Sequence, residues 1–214
     1  MTRLIAALAV LAALLASPAR AEGEPAGDFD YYVLSLSWSP TWCALEGDAR
    51  RSPQCAEGTG YGFVLHGLWP QYEDGWPSYC RTSVREATRG ETAAMEDIMG
   101  APGAAWHQWK KHGRCSGLAA RDYFRLARLA YNRVNRPAVL RDLGREVTLP
   151  AAVVEEAFLE ENPGLTADGV TVTCKDRRLQ EVRICLTRSL EPRRCGADVI
   201  RDCAMRDALL SPVR

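Results

Sequence analysis

The sequence predicts an α+β fold in which an antiparallel sheet packs against several helices and is stapled by disulfides. Segments with strand-like patterns lie towards both ends of the mature chain, and the region between them has helical periodicity. Strands that bracket a helical middle favour α+β over a wound parallel sheet, in which strands and helices alternate. Eight cysteines among 214 residues supply the crosslinks.

The first 21 residues have the pattern of a secretory signal peptide. Arg3 gives a positive end, residues 4–15 form an apolar run, and residues 19–21, Ala-Arg-Ala, form a small-x-small cleavage site. The run is shorter than the ~20 residues that span a bilayer, although an uncleaved anchor or a buried helix remains an alternative. We expect a secreted or periplasmic protein without a membrane partner, with residues 22–214 as one domain.

The mature chain begins with strands and loops. We expect the polar segment over residues 22–28 to be mobile. Residues 31–38 alternate apolar or aromatic side chains with serine and predict a strand. Residues 43–60 predict a disulfide-bonded loop. The mostly apolar run over residues 61–68 predicts a second, central strand, and residues 69–81 predict an aromatic loop.

Helical patterns dominate the middle of the chain. Helices are predicted over residues 92–99, 104–112, 121–136 and from 149 to about 162. Gly100 stops the first of them, and Gly113 is placed at the C-cap of the second. Beyond the helices, residues 170–174 and 179–186 alternate like the two arms of a hairpin.

An even number of cysteines in an exported chain predicts four disulfides. The simplest arrangement combines two local bridges with a nested pair: Cys43–Cys55, Cys80–Cys115, Cys174–Cys203 and Cys185–Cys195. Eight cysteines allow about 105 pairings, so spacing alone does not decide between them. A zinc site is disfavoured because no Cys-x-x-Cys motif occurs.

The charge balance argues against a protein that coats duplex nucleic acid. The whole chain has 27 basic and 27 acidic residues, and the predicted signal peptide removes Arg3 and Arg20 but no acid, which leaves a net charge of −2. Such a chain lacks the broad basic surface of a duplex-binding protein. We therefore expect no DNA partner, and we expect any polyanion to be bound at a local site and not across a broad basic surface.

Histidine and lysine are concentrated in two short runs. The chain has three histidines, His66, His107 and His112, and two of its three lysines, Lys110 and Lys111, lie between the last two. Imidazoles exchange protons near neutral pH, and an ammonium group holds an anion. These runs are the candidate active site.

The second run forms one polar face of its predicted helix. At ~100° of rotation per residue, Lys111 lies at ~40°, Gln108 at ~100° and His112 at ~140° from His107. Trp109 points away from this face, towards the core. A three-histidine metal site is one alternative, although no carboxylate lies on this arc. Solvent-exposed histidines without a catalytic role are another.

Two imidazoles and an ammonium group suit transfer of a phosphodiester to a neighbouring hydroxyl. A neutral imidazole removes the proton of a ribose 2′-OH, and a protonated one gives a proton to the leaving 5′-oxygen. Fixed cations stabilise the charge on phosphorus. The aromatic residues from Trp69 onwards either stack bases or fill the core. Single-stranded RNA is the predicted partner, and no cofactor is predicted.

Two motifs resemble the active-site motifs of the ribonuclease T2 family: residues 63–70, Phe-Val-Leu-His-Gly-Leu-Trp-Pro, and residues 107–115, His-Gln-Trp-Lys-Lys-His-Gly-Arg-Cys. Residues 34–43 resemble the family's first strand, and the nested C-terminal cysteines resemble its layout. The resemblance extends from Tyr31 to Cys203. It implies a metal-independent endoribonuclease that leaves 2′,3′-cyclic phosphate and then 3′-phosphate ends.

The resemblance also implies roles for individual residues. His112 would be the general base and His66 the general acid. His107 and Lys111 would bind the phosphate and stabilise the pentacovalent state. We expect the chain to act as a monomer.

Four further residues concern the substrate or depart from the family pattern. Trp69 falls where the family stacks a base, and Tyr72 follows it as a further substrate-binding candidate. Gln71 stands where some members carry an acidic base-reading residue. Gln108 stands where the family most often has glutamate, and glutamine lacks the charge that favours a neighbouring imidazolium. A catalytically weakened, secreted RNA-binding protein on the same fold is therefore the alternative function, and a metallohydrolase is a third.

Overall fold

The computed structural model describes residues 23–214. The predicted signal peptide lies outside this range. No helix within residues 23–214 combines the length and the apolar character that crossing a membrane requires. The described chain has the predicted α+β fold, with one six-stranded sheet and seven α-helices.

The sheet has the strand order β2-β1-β5-β6-β3, with β4 paired to β5. The strands are β1 Tyr31–Trp38, β2 Phe63–Gln71, β3 Val147–Leu149, β4 Val170–Lys175, β5 Arg178–Leu186 and β6 Ala208–Leu210. Strand β1 pairs antiparallel with β2 and β5, and β4 with β5 forms the predicted hairpin. A single parallel pair joins β5 to β6. The sheet is therefore antiparallel apart from that pair.

The described chain has three longer helices, of 10 to 14 residues, and four short ones of four or five residues. They are α1 Ser39–Trp42, α2 Arg89–Ala93, α3 Glu96–Met99, α4 Pro102–Lys111, α5 Ala120–Arg133, α6 Ala138–Arg141 and α7 Ala151–Glu161. The helix predicted over residues 92–99 is thus two helices, α2 and α3. Gly100 does end α3, and its φ of 78° explains why glycine stands there.

Successive residues of β1 point to opposite faces of the sheet, as strand geometry requires. One set joins the main core beneath the helices: Tyr32, Leu34, Leu36 and Trp38. On the other face, Tyr31 and Val33 join a smaller apolar cluster with Cys185, Cys195 and Val199. The next residues on that face are Ser35 and Ser37. That face therefore changes from apolar to polar along β1.

A β-bulge in β2 determines where His66 points. Ser35 of β1 pairs with Gly67, but the next residue, Leu36, pairs with Leu65, so His66 is the extra residue. In a regular strand, His66 would share the core face with Leu68. The bulge keeps Leu65 and Leu68 in the core and turns His66 to the polar face, where bulges in other proteins also re-aim active-site side chains.

Helix α5 holds β2 from the core side. The hydroxyl of Tyr123 donates to the carbonyl of Leu68 at 2.9 Å, and that of Tyr131 donates to the carbonyl of Phe63 at 3.0 Å. The two acceptors lie on either side of the bulge. These two hydrogen bonds therefore fix the backbone around His66 from the core side of the sheet.

Four disulfides are formed, in the pairing that the sequence suggests: Cys43–Cys55, Cys80–Cys115, Cys174–Cys203 and Cys185–Cys195. No cysteine within residues 23–214 is free. The second bridge spans 35 residues. It ties the segment just after α4 to the loop that follows β2.

Three local predictions are corrected. Strand β2 runs from Phe63 to Gln71 because Trp69 and its neighbours pair with β1, so the loop begins later than predicted. His112, rather than Gly113, is the C-cap of α4. A Cβ on Gly113 would lie 2.7 Å from the Tyr123 ring, so close packing explains the glycine. The polar leader is anchored, since the Gly27 amide donates to the Cys115 carbonyl at 2.9 Å.

Candidate active site

His66 lies beside two charged residues of β5. Its Nδ1 is 2.5 Å from Oε1 of Glu181. The other oxygen of Glu181, Oε2, accepts hydrogen bonds from Nε and Nη2 of Arg183 at 3.0 and 2.8 Å. On β1, Ser37 pairs opposite Glu181 and Ser35 opposite Arg183. These small residues leave room for the charged side chains on their face of the sheet.

Glu181 is ionised although its side chain is only 3% exposed. Burial raises the pKa of its carboxyl, but the hydrogen bond and charge of His66, followed by those of Arg183, outweigh burial and lower the pKa to about 2. Both carboxylate oxygens are occupied. The His66 side chain, by contrast, is 42% exposed, and its Nε2 is left to meet a ligand.

Helix α4 presents the second run of polar residues to the cleft that His66 also lines. His107, Gln108 and Lys111 line it. Trp109 is fully buried in the main core, as predicted. The ammonium of Lys110 lies 5.9 Å from the Trp106 ring and does not line the cleft.

Trp69 lies between two histidines. Its ring is edge-on to His66 and stacked on His112 at an interplanar angle of 27°, and both centroid distances are 5.1 Å. Its Nε1 donates to Oε1 of Gln108 at 2.7 Å. A Cβ at Gly67 would lie 2.3 Å from that nitrogen and 2.4 Å from that oxygen, so only glycine leaves room for the bond. The predicted acid and base thus contact one indole.

His112 is buried and held in its neutral form. Burial is the main cause of this, and the nearby positive charges of Lys111, His66 and His107 act in the same direction, lowering the pKa of His112 to about 3. Its Nδ1 is buried and has no hydrogen-bond partner within residues 23–214. Because His112 lines the cleft, Nε2 is the nitrogen left to meet a substrate, and near neutral pH the ring is unprotonated and available as a base.

His107 experiences a weaker version of the same environment. Burial lowers the pKa of its ring, and the charges of Lys111 and His66 contribute further. Protonation of His107 is therefore disfavoured until an anion enters the cleft, because an opposite charge favours the protonated ring.

Two hollows meet at these residues, with volumes of about 320 and 520 Å³. The smaller also contains Trp76 and Asp198, and the larger extends past Trp42 and Gln54. Both are lined by His66, His107, Gln108, Gln180 and Glu181. A chain-like ligand that crosses the histidines can therefore occupy both sides.

Seven of the eight predicted site residues line the smaller hollow: His66, Trp69, Gln71, His107, Gln108, Lys111 and His112. Gln71 is only 4% exposed. Tyr72 is not among the lining residues, because its side chain packs partly buried against the main core. Within residues 23–214, no group of three or more His, Cys, Asp or Glu side chains is placed to hold a metal ion.

Sequence patterns missed three charged residues that line the cleft: Glu181, Arg183 and Asp198. Trp76 is 54% exposed and belongs to the aromatic loop that the sequence singles out. Glu181 and Arg183 alternate with apolar residues of β5, and that alternation was the available signal for a polar sheet face. Asp198 lies in an irregular C-terminal segment, where no local pattern marks it.

The fold and the cleft define an α+β protein with a histidine-lined site suited to acid–base chemistry. A family model described as the Ribonuclease T2 family matches residues 29–195. Because the match covers most of the chain, the protein belongs to the ribonuclease T2 family.

Known relatives and solved structures agree with this assignment. A ribonuclease from Aeromonas hydrophila is 45% identical over 121 residues, which are 55% of this chain and 52% of that protein. The alignments span about half the length of the first curated relatives. The fold resembles an RNase-related protein from Calystegia sepium (TM-score 0.65, 22% identity, 86% of this chain and 97% of that one). It also resembles RNase NT in complex with 5′-AMP (TM-score 0.62, 21% identity, 87% and 100%).

Proposed function

We propose that this protein is a secreted endoribonuclease that cleaves single-stranded RNA by transfer to the 2′-OH, without a metal ion or other cofactor. The observation that carries the proposal is the contact of two imidazoles in opposite environments with one indole. His66 is paired with the carboxylate of Glu181, whereas His112 is buried near positive charges. This difference suits a proton donor and a proton acceptor.

In the first step, Nε2 of neutral His112 takes the proton of the ribose 2′-OH, and the 2′-oxygen forms a bond to phosphorus. The bond from phosphorus to the 5′-oxygen breaks, and that oxygen takes a proton from Nε2 of His66. The products are a 2′,3′-cyclic phosphate and a 5′-hydroxyl end. His112 is then protonated and His66 is neutral.

In the second step, water occupies the place of the departed 5′-hydroxyl. His66 takes a proton from this water, whose oxygen bonds to phosphorus. The bond from phosphorus to the 2′-oxygen breaks, and that oxygen receives the proton from His112. A 3′-phosphate results, and both histidines return to their starting forms.

Lys111 and His107 are the groups that stabilise the phosphate. Both line the smaller hollow with the two other histidines. A fixed positive charge near the non-bridging oxygens stabilises the pentacovalent state more than the substrate, because negative charge grows during attack. His107 becomes favourably protonated once that charge is present.

The substrate class follows from the same chemistry. Attack by a 2′-hydroxyl requires RNA and excludes DNA as a substrate. The exposed ring of Trp76 in the cleft provides a stacking surface for an unpaired base. All of the groups named here belong to one chain, which fits action as a monomer.

Secretion is part of the proposal. The sequence over residues 1–21 has the signal-peptide pattern, and four disulfides suit an oxidising compartment. Expression with the native N-terminus, followed by N-terminal sequencing of the exported protein, tests this. We expect the mature chain to begin at Glu22.

Digestion of a defined single-stranded RNA, with and without chelator, tests the reaction. We expect mass analysis to find cyclic phosphates first and 3′-phosphates later, with equal rates in both conditions. His112→Ala should abolish cleavage. Binding of RNA without cleavage would favour the catalytically weakened alternative that Gln108 raises, and loss of activity with chelator would indicate a metallohydrolase.

A further inference from the structure

We infer that Glu181 is a positioning residue for His66, and that it supplies the negative charge that glutamine cannot provide at position 108. The inference rests on the proposed function and adds a residue to it. Glu181 comes from β5, 115 residues from His66 in sequence. It lies outside both sequence motifs that point to the site.

The hydrogen bond between Glu181 and His66 fixes which nitrogen of the ring is free. An ionised carboxylate only accepts hydrogen bonds, so Nδ1 of His66 must be the donor. The proton that a ligand can take is then the one on Nε2. A ring held in this way points one nitrogen at the cleft and does not exchange the roles of its two nitrogens.

Gln108 leaves the helix side of the cleft without a negative charge. Its side chain is 3% exposed, and its Oε1 accepts the indole proton of Trp69. Two carboxylates line the smaller hollow within the described chain, those of Glu181 and Asp198. Asp198 uses Oδ2 to accept from the Gly75 amide. Glu181 is therefore the carboxylate that bonds to a histidine.

A purely structural ion pair does not account for the arrangement. Arg183 bonds to Oε2 of Glu181 alone, and a buried carboxylate left with one free oxygen would be penalised. Oε1 is satisfied by His66, which reaches it only because of the bulge in β2. Ser37 lies opposite Glu181 on the intervening strand and is too small to separate them. The bulge in β2 and the small Ser37 in β1 thus allow His66 and Glu181 to form their hydrogen bond.

Kinetics of Glu181→Gln test the role. We expect kcat to fall by ~10- to 100-fold with little change in KM, less than the ~10²- to 10⁴-fold attributed to a general acid itself. The alkaline limb of the pH–rate profile should move to lower pH, because protonated His66 loses its partner. Glu181→Asp should recover part of the rate. Unchanged limbs, or a change confined to KM, would overturn the inference.

A matched control and a double variant separate positioning from a general structural effect. Asp202→Asn removes a carboxylate that braces β4 of the same sheet, through Thr171 and the Val172 amide, and should leave the profile unchanged. Glu181→Gln should add almost nothing to His66→Ala, because residues that act as a unit are not additive. An equal loss of kcat from Glu181→Gln in the natural protein and in His66→Ala would show that Glu181 acts independently of His66.

Nitrogen NMR of the three histidine rings detects the hydrogen bond between His66 and Glu181 without any substrate. We expect neutral His66 to carry its proton on Nδ1, and Glu181→Gln to remove that preference. A proton on Nε2 in the unmodified protein would overturn the inference even if RNA is cleaved. A preserved Nδ1 proton without any RNA cleavage would instead reject the proposed function, and with it a catalytic purpose for the pair.

Discussion

The indole of Trp69 donates a 2.7 Å hydrogen bond to Oε1 of Gln108. This bond joins β2 to α4 and therefore connects the two stretches of sequence that carry the histidines. It is possible because Gly67 has no side chain, since a Cβ there would lie within 2.4 Å of both bonded atoms.

Gly67→Ala should destabilise the protein and reduce its activity. The new methyl group would collide with both partners of the bond, and overpacking of this kind costs about 1–3 kcal/mol. Urea unfolding measures the effect. Gly90→Ala is the control, because nothing lies within 4 Å of a Cβ there, and it should be neutral or slightly stabilising in its helix. Equal stabilities of the two variants would contradict this account.

Gln108→Glu should move the acidic limb of the pH–rate profile to higher pH. A negative charge near His112 favours the protonated ring and raises its pKa, so the base is lost earlier as pH falls. The natural protein, with the pKa of His112 lowered to about 3, should remain active further into acid. Gln108→Met weakens the Trp69 contact without adding charge and should leave the limb in place. Superimposable limbs for the glutamate and natural forms would exclude the electrostatic effect.

Lys111→Ala should lower kcat by ~10²- to 10³-fold, the usual effect of removing one group that stabilises transition-state charge. It should also move the acidic limb to higher pH, since the charge of Lys111 helps to lower the pKa of His112. Lys110→Ala is a control from the neighbouring residue, whose ammonium lies against Trp106 instead. Similar losses in both variants would mean that general positive charge, and not position, matters.

Trp76→Ala should weaken binding of single-stranded RNA by ~1–3 kcal/mol if a base stacks on this ring. Fluorescence anisotropy with a short oligonucleotide and a cleavage-deficient His112→Ala background measures Kd. Trp106→Ala provides the comparison, because Trp106 is 39% exposed but does not line either hollow. Unchanged affinity for Trp76→Ala would leave Trp69 as the stacking candidate.

The sequence predicted the site residues that lie close together in the chain or belong to residue types that are rare in it, such as histidine and lysine. His107, Lys111 and His112 share one helix and its end, so helical geometry predicts their common face. His66 was identified by its residue type and by the motif over residues 63–70, and not by the geometry of its strand. Regular alternation along β2 would have placed it in the core, and the bulge that corrects this has no clear signature in the residues themselves.

Glu181 could not be predicted because its role depends on strand pairing. Ser37 of β1 must lie between Val64 of β2 and Glu181 of β5 for the carboxylate to reach His66. The pairing of Ser37 with Glu181 joins segments more than one hundred residues apart. Trp69 was assigned to a loop for a similar reason, because its pairing with Val33 is invisible in a local window.

The Cys80–Cys115 bridge also bears on when the cleft becomes complete. Cys115 is three residues from His112, and Cys80 is in the loop that contains Trp76. While the two thiols are reduced, these two segments are not covalently linked to each other. We expect a newly made chain in a reducing cytosol to have an imperfectly ordered cleft. With the secretion and RNA cleavage proposed above, oxidation after export would act as a maturation step that spares the producing cell's own transcripts.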